Sequence, residues 1–238
     1  MDAARPPLRA GSLIVDGLRA TVRAPFAGLV ALSLFLYVVS ASVGQQGGGG
    51  SLVFALLLAA ASAYAQIACA LAASSSDPAR SSDAWFVAAV RRRCFWRYLV
   101  AEFVTVLAVA FGLLALVVGA FVVGGVLALG QPAAALERRT PIDAMKRSAA
   151  MGREHRRALA IVFGALVLVP GIGIQAGYSL GAPEGWGAAW IVVSLPGVVS
   201  TIAGAIALSR AFVALGGARI EAPEEASPAP PGARQPGR

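Results

Sequence analysis

Polar residues along this chain are gathered into short islands. Between them lie apolar runs of about 20 residues, the length that crosses roughly 30 Å of hydrocarbon. The runs do not alternate between an apolar and a polar face, as helices of a soluble core do. Nor do they show the short alternating strands of a membrane barrel. A single apolar segment in lipid can satisfy its own backbone only as a helix. The expected fold is therefore all-α: a polytopic transmembrane bundle of about six spans, arranged as three hairpins with amphipathic interfacial helices. Its expected parts are a cytoplasmic amphipathic lead-in over residues 1–25, a membrane domain over 26–216 with basic cytoplasmic segments at 74–97 and 137–157, and a disordered tail over 217–238.

Ahead of the first span, Ile14, Leu18 and Val22 share one helical face while Asp16, Arg19 and Arg23 fall on another. That is the spacing of an amphipathic helix, and a basic one suits the membrane interface. Pro25 turns the chain into a first span at about Phe26–Val43. The Ser40-Ala41-Ser42 end of this span also resembles a signal-peptide cleavage region, but the lead-in is longer than an n-region. The second span, about Leu52–Ala73, carries Ala61, Ala65, Cys69 and Ala73 at every fourth position, a stripe that lets a neighbouring helix approach closely. Ala84–Arg97 then mixes Trp85, Phe86, Phe95 and Trp96 with Arg91, Arg92, Arg93 and Arg97. Beside a membrane span, that mixture predicts an interfacial helix with Trp at headgroup depth rather than an RNA-binding surface.

From Tyr98 to Leu136 there is one charge, Glu102, in 39 residues. That is too long for one span at 1.5 Å per residue and suits two. The basic segments on either side should both be cytoplasmic, and an even number of crossings must separate them. A hairpin of about Tyr98–Val118 and Ala120–Leu136 satisfies both, with Gly119, Gly124 and Gly125 as candidates for the turn. The fifth span, about Ala158–Leu180, is interrupted by Pro170-Gly171-Ile172-Gly173. The sixth, about Ala188–Ser209, contains Pro196-Gly197 and a stripe of Gly197, Thr201, Ala205 and Ser209. All 20 Lys and Arg then fall at or near the cytoplasmic side, with both termini inside and the chain in the cytoplasmic membrane.

Composition narrows the functional classes. The chain is 58% hydrophobic and 13% charged, against about 25% charged in soluble domains. The net charge of +8 does not point to nucleic acid, because the basic residues flank apolar spans, where they meet anionic lipid. Two cysteines make no disulfide framework. His155 has no partner motif, nothing has the spacing of a metal site, and no catalytic or cofactor-binding motif is present. Glu102 is the candidate intramembrane polar site; its place about one turn from Arg97 also allows an interfacial ion pair. Arg147, Arg156 and Arg157 are the candidate lipid- or partner-contacting residues. The Pro-Gly interruptions read as kinks, or alternatively as broken helices of a transporter site.

The charged island Glu137–Arg157 holds seven Lys or Arg against three acids. Thr140 is placed to cap a helix, with Pro141 in its first position and Asp143 in its third; Ile142, Met145 and Ala149 share a face toward the bilayer or the bundle. Glu137 followed by Thr140-Pro141-Ile142-Asp143-Ala144-Met145-Lys146-Arg147-Ser148 resembles the "E…gPieAlkrS" segment of a bacterial family of six-helix membrane proteins. That family is related to the membrane domain of glycerophosphodiester phosphodiesterases and to the YciC-like inner-membrane proteins. Ala149 and Glu154 stand where it usually has an aromatic and a glycine. In those phosphodiesterases hydrolysis belongs to a separate soluble domain, so the resemblance implies a membrane module without catalytic residues. The expected function is a non-enzymatic scaffold, assembly partner or accessory subunit. Its expected partners are membrane lipids, another membrane protein or a second copy of itself. The alternative is a small transporter or lipid-handling protein using spans five and six.

Overall fold

The computed structural model describes residues 8–44, 49–76, 81–115, 117–173 and 187–220. Ten helices are named here: α1 (Ala10–Thr21), α2 (Phe26–Gly44), α3 (Gly49–Ala73), α4 (Ser82–Arg91), α5 (Phe95–Ala115), α6 (Val117–Leu127), α7 (Gly130–Leu136), α8 (Pro141–Met151), α9 (Arg156–Phe163) and α10 (Gly187–Ala214). The fold is all-α; among the described residues the one β feature is an isolated bridge between Ser75 and Ile220. Four stretches are long and apolar enough to cross a membrane: Phe95–Leu114, Val118–Leu136, Arg156–Gly173 and Leu195–Ala214. A fifth is reached if α1 and Phe26–Val39, bent by 78°, count as one span, and Ala60–Ala73 is a shorter apolar helix. The turn at 45–48, the loop residues 77–80, the outer loop with Tyr178, Glu184 and Trp186, and the tail from Glu221 lie outside the described residues, as does the side chain of Trp190.

The expected hairpin after Arg97 is present, but its turn is not at the glycines. α5 ends at Ala115 and α6 begins at Val117. The glycines instead remove side chains where helices meet. A Cβ on Gly119 would lie 2.7 Å from the Gly112 carbonyl oxygen, one on Gly124 would lie 2.3 Å from the Phe163 ring, and one on Gly125 would overlap Ala160. They therefore serve two packing contacts, the hairpin's own arms and the α6–α9 face.

The interruption expected around Pro170 is also displaced. The chain stays helical through Gly173, and the irregularity is a π turn at Gly164–Leu168, one turn earlier, where the Val169 N–H reaches the Gly164 carbonyl. The cause is local. Pro170 has no N–H to give the carbonyl four residues back, at Leu166, and its ring crowds that carbonyl. A wider turn just upstream accommodates both effects. α10 likewise runs helically through Pro196.

The three basic lead-ins are all helices, and they follow one packing rule. α4 packs on α3 and α2, the hairpin before it; α8 packs on α7, α5 and α6, the hairpin before it. α1 takes the same place on the last hairpin, against α10 and α9. The α1 contact is close because Gly17 faces Ala203 and Ala207, with a Cβ there falling 2.7 Å from the Ala203 carbonyl oxygen. The buried side of α1 is thus Gly17, Ala20 and Thr21, with Ile14 half-buried beside them. Leu18 and Val22, expected on one face with Ile14, point outward. Small residues decide which side docks, because only they admit the neighbouring backbone.

Candidate functional site

Four contacts between parts of the chain far apart in sequence gather the basic segments at one end of the bundle. Arg92 Nη2 donates to the Leu136 carbonyl (2.7 Å), capping the C-terminal end of α7. Arg97 Nη1 donates to the Arg138 carbonyl (2.5 Å). Arg210 Nη1 donates to the Asp16 carbonyl (3.3 Å), and Arg210 Cζ lies 5.9 Å from the centre of the Phe26 ring. The Ile220 N–H donates to the Ser74 carbonyl (3.2 Å), tying the chain after α10 to the end of α3.

Glu137–Ser148 is occupied in holding this end together. Thr140 caps α8, accepting from the Asp143 N–H (3.3 Å) and donating to Asp143 Oδ2 (2.6 Å), with Pro141 in the first turn as expected. Glu137 pairs with Arg139 and with Arg147 Nη2, the latter at 3.5 Å. Ser148 is buried and bridges the break between α6 and α7: it accepts from the Leu129 N–H (3.0 Å) and donates to the Val126 carbonyl (2.7 Å). Ala144 and Ser148 form the buried face of α8, whereas Ile142 points outward and Met145 fills the space left by Gly130.

The expected site residues therefore separate. Arg147 turns inward to Glu137, while Arg156 and Arg157 are exposed at the start of α9. Arg157 borders an apolar groove with Phe121, Ile161 and Gly164. Glu102 is half-buried and forms no ion pair with Arg97, whose guanidinium is taken up by Arg138. One turn before Glu102, the buried Tyr98 hydroxyl donates to Gln66 Oε1 on α3 (2.9 Å). Trp85 does not lie at the surface among headgroups: it is fully buried, and Trp96 is the exposed tryptophan of that segment, at 71%.

What the segments do bring together is a basic cavity of about 240 Å³ between α4, the end of α7 and Ile220, lined by Arg91, Arg92, Arg138 and Trp85 among others. Trp85 Nε1 and Arg92 Nε are buried and have no hydrogen-bond partner among the described residues. Burial, and after it the positive charge of Arg138, pulls the Arg92 guanidinium below its ordinary value. Burial pushes the neighbouring Cys94 thiol up, against the opposing pull of Arg92, so the thiol stays protonated at neutral pH. Arg93, next to Arg92 in sequence, and the cavity-lining Arg138 have left-handed backbones with φ of 51° and 52°. For a residue with a Cβ that conformation costs on the order of 1 kcal/mol and persists only where surrounding contacts hold it.

Sequence reading saw these arginines as two separate basic segments. The signal that joins them is Arg138 beside the end of one apolar run and Arg91-Arg92 before another, which a hairpin brings level. Among the described residues no group of His, Cys, Asp and Glu could hold a metal ion. Comparison with protein-family models, with curated proteins and with solved structures gives no significant match.

Proposed function

We propose that this chain is a non-enzymatic, six-span protein of the bacterial cytoplasmic membrane, with both termini inside, that serves as a scaffold, assembly partner or accessory subunit. The observation that carries the reading is the basic end of the bundle. The lead-in helices are fixed there by defined contacts, and each turns apolar side chains outward: Val15 and Leu18 on α1 with Val22 just after it, Val87 and Val90 on α4, and Ile142 on α8. Outward apolar residues flanked by arginines match an interface with anionic lipid or with a membrane partner. α2 and α3, of 19 and 25 residues, supply the first two crossings of the six-span count. The continuous helix through Pro196 favours this reading over transport through broken spans.

The test is purification of the tagged protein from its own membrane in mild detergent, with mass spectrometry of what is retained. A stoichiometric membrane-protein partner is expected. It should be lost in the Arg156→Glu/Arg157→Glu double variant, which changes exposed side chains only. A protein that retains no partner and moves a solute across vesicles would sink the scaffold reading.

A further inference from the structure

We infer that the basic cavity between α4, the end of α7 and Ile220 binds a phosphate group, carried either by a lipid headgroup or by a small soluble ester. This goes beyond the scaffold reading and does not depend on it.

Three arginines, Arg91, Arg92 and Arg138, line one cavity of about 240 Å³, and among the described residues no acid lines it. The acid beside Arg138, Glu137, is already engaged by Arg139 and Arg147. Like charges held close together repel, and the partial burial of Arg92 raises the cost. An anion would relieve both effects; burial first, and after it the charge of Arg138, lowers the proton affinity of Arg92. Trp85 Nε1 and Arg92 Nε belong to residues of the same wall but are themselves inaccessible, so they do not face a ligand in the cavity. Three guanidiniums, even with Arg92 Nη2 given to the Leu136 carbonyl, offer more donors than the two oxygens of a planar carboxylate can take. A phosphate ester presents up to three free oxygens and as many as two negative charges, the match for several arginines at once. Leu71 and Ile220 give the same cavity an apolar side, against which the ester's carbon substituent can lie.

The arrangement is held rather than fortuitous. Arg92 and Arg97 bond to backbone carbonyls on either side of Glu137, at Leu136 and Arg138, and so fix Arg138 in its left-handed conformation against the cavity. The wall is built from both expected cytoplasmic basic segments and from Ile220, so no single stretch of sequence contains it.

The test uses the full-length protein in two arms. In detergent, inorganic phosphate and methyl phosphate are titrated while tryptophan fluorescence is followed, with Trp85→Phe identifying the reporting residue. In nanodiscs, phosphatidic acid is compared with phosphatidylcholine by native mass spectrometry of the lipid retained. Saturable binding is expected in at least one arm. It should weaken at least tenfold in Arg91→Gln and in Arg138→Gly; glycine at 138 keeps the left-handed backbone without strain, so the second variant separates ligand binding from folding. Arg153→Gln, exposed and outside the cavity, should bind as the parent does. Binding in the first arm identifies a soluble ester; retention confined to the second identifies a headgroup. Absence of saturable binding in both arms, or binding indifferent to Arg91 and Arg138, overturns the inference.

Discussion

At the scale of single residues, buried polar groups carry more of this fold than its low polar content suggests. Ser148 is the clearest case. In an uninterrupted helix the Leu129 N–H and the Val126 carbonyl would find partners four residues away; at the α6–α7 break both are served by one hydroxyl from α8. Ser148→Ala leaves a donor and an acceptor buried, at a cost of about 1–3 kcal/mol. Its thermal midpoint in detergent should fall clearly. Ser12, whose hydroxyl donates to the Arg9 carbonyl at the exposed start of α1, is the control: Ser12→Ala should change stability by no more than about 0.5 kcal/mol. Equal midpoints for the two variants would remove Ser148 as a latch. Other hydroxyls spend themselves locally: Thr105, Thr201 and Ser209 donate to carbonyls four residues back in their own helices. That is how a polar side chain is accommodated inside an apolar helix.

At the scale of elements, apolar run length located the helices well, because lipid-length segments have no other structural solution. The capping of α8 was also legible, since Thr140, Pro141 and Asp143 act within one turn. What was not legible depends on partners distant in sequence. Glycine looks the same in a turn and in a tight helix contact, so the glycines of 119–125 suggest a turn where the chain is already within α6. An aromatic–basic mixture looks the same at a lipid interface and around a buried cavity, so Trp85 was placed at the surface. The amphipathic pattern of α1 weighed Leu18 and Val22 by hydrophobicity, whereas docking is decided by the absence of a side chain at Gly17. Two glycines on that one helix provide the test. A Cβ at Gly17 collides with α10, while one at Gly11 meets nothing within 4 Å. Gly17→Leu should therefore lose about 1–3 kcal/mol by overpacking. Gly11→Leu should be neutral or slightly stabilising, since leucine favours helix over glycine. Thermal unfolding of the pair measures the difference, and equal midpoints would mean that α1 does not dock on α10 as described.

At the scale of the whole molecule, lead-in helix and hairpin alternate three times, and the packing closes on itself when α1 meets α10. Closure has a consequence for topology. The Ser75–Ile220 bridge and the arginine contacts put the ends of α3 and α10 where α4, α8 and α1 lie. On the proposed six-span reading, Ser76 and the basic helices are then on one side of the membrane and Gln46, which falls between α2 and α3 in sequence, is on the other. Cysteine labelling can read this directly, because the native thiols are silent: Cys69 and Cys94 are both buried, and burial keeps Cys94 protonated when the thiolate is the reactive form. In intact cells a membrane-impermeant maleimide should label Gln46→Cys and leave Ser76→Cys untouched. After permeabilisation both should react, while the unmodified protein reacts only once unfolded. Labelling of Ser76→Cys in intact cells would place the arginine-rich end outside, against the bias that retains Lys and Arg on the cytoplasmic side, and would refute the proposed orientation. Equal protection of both positions would go further, because it removes the crossings assigned to α2 and α3 and with them the six-span count.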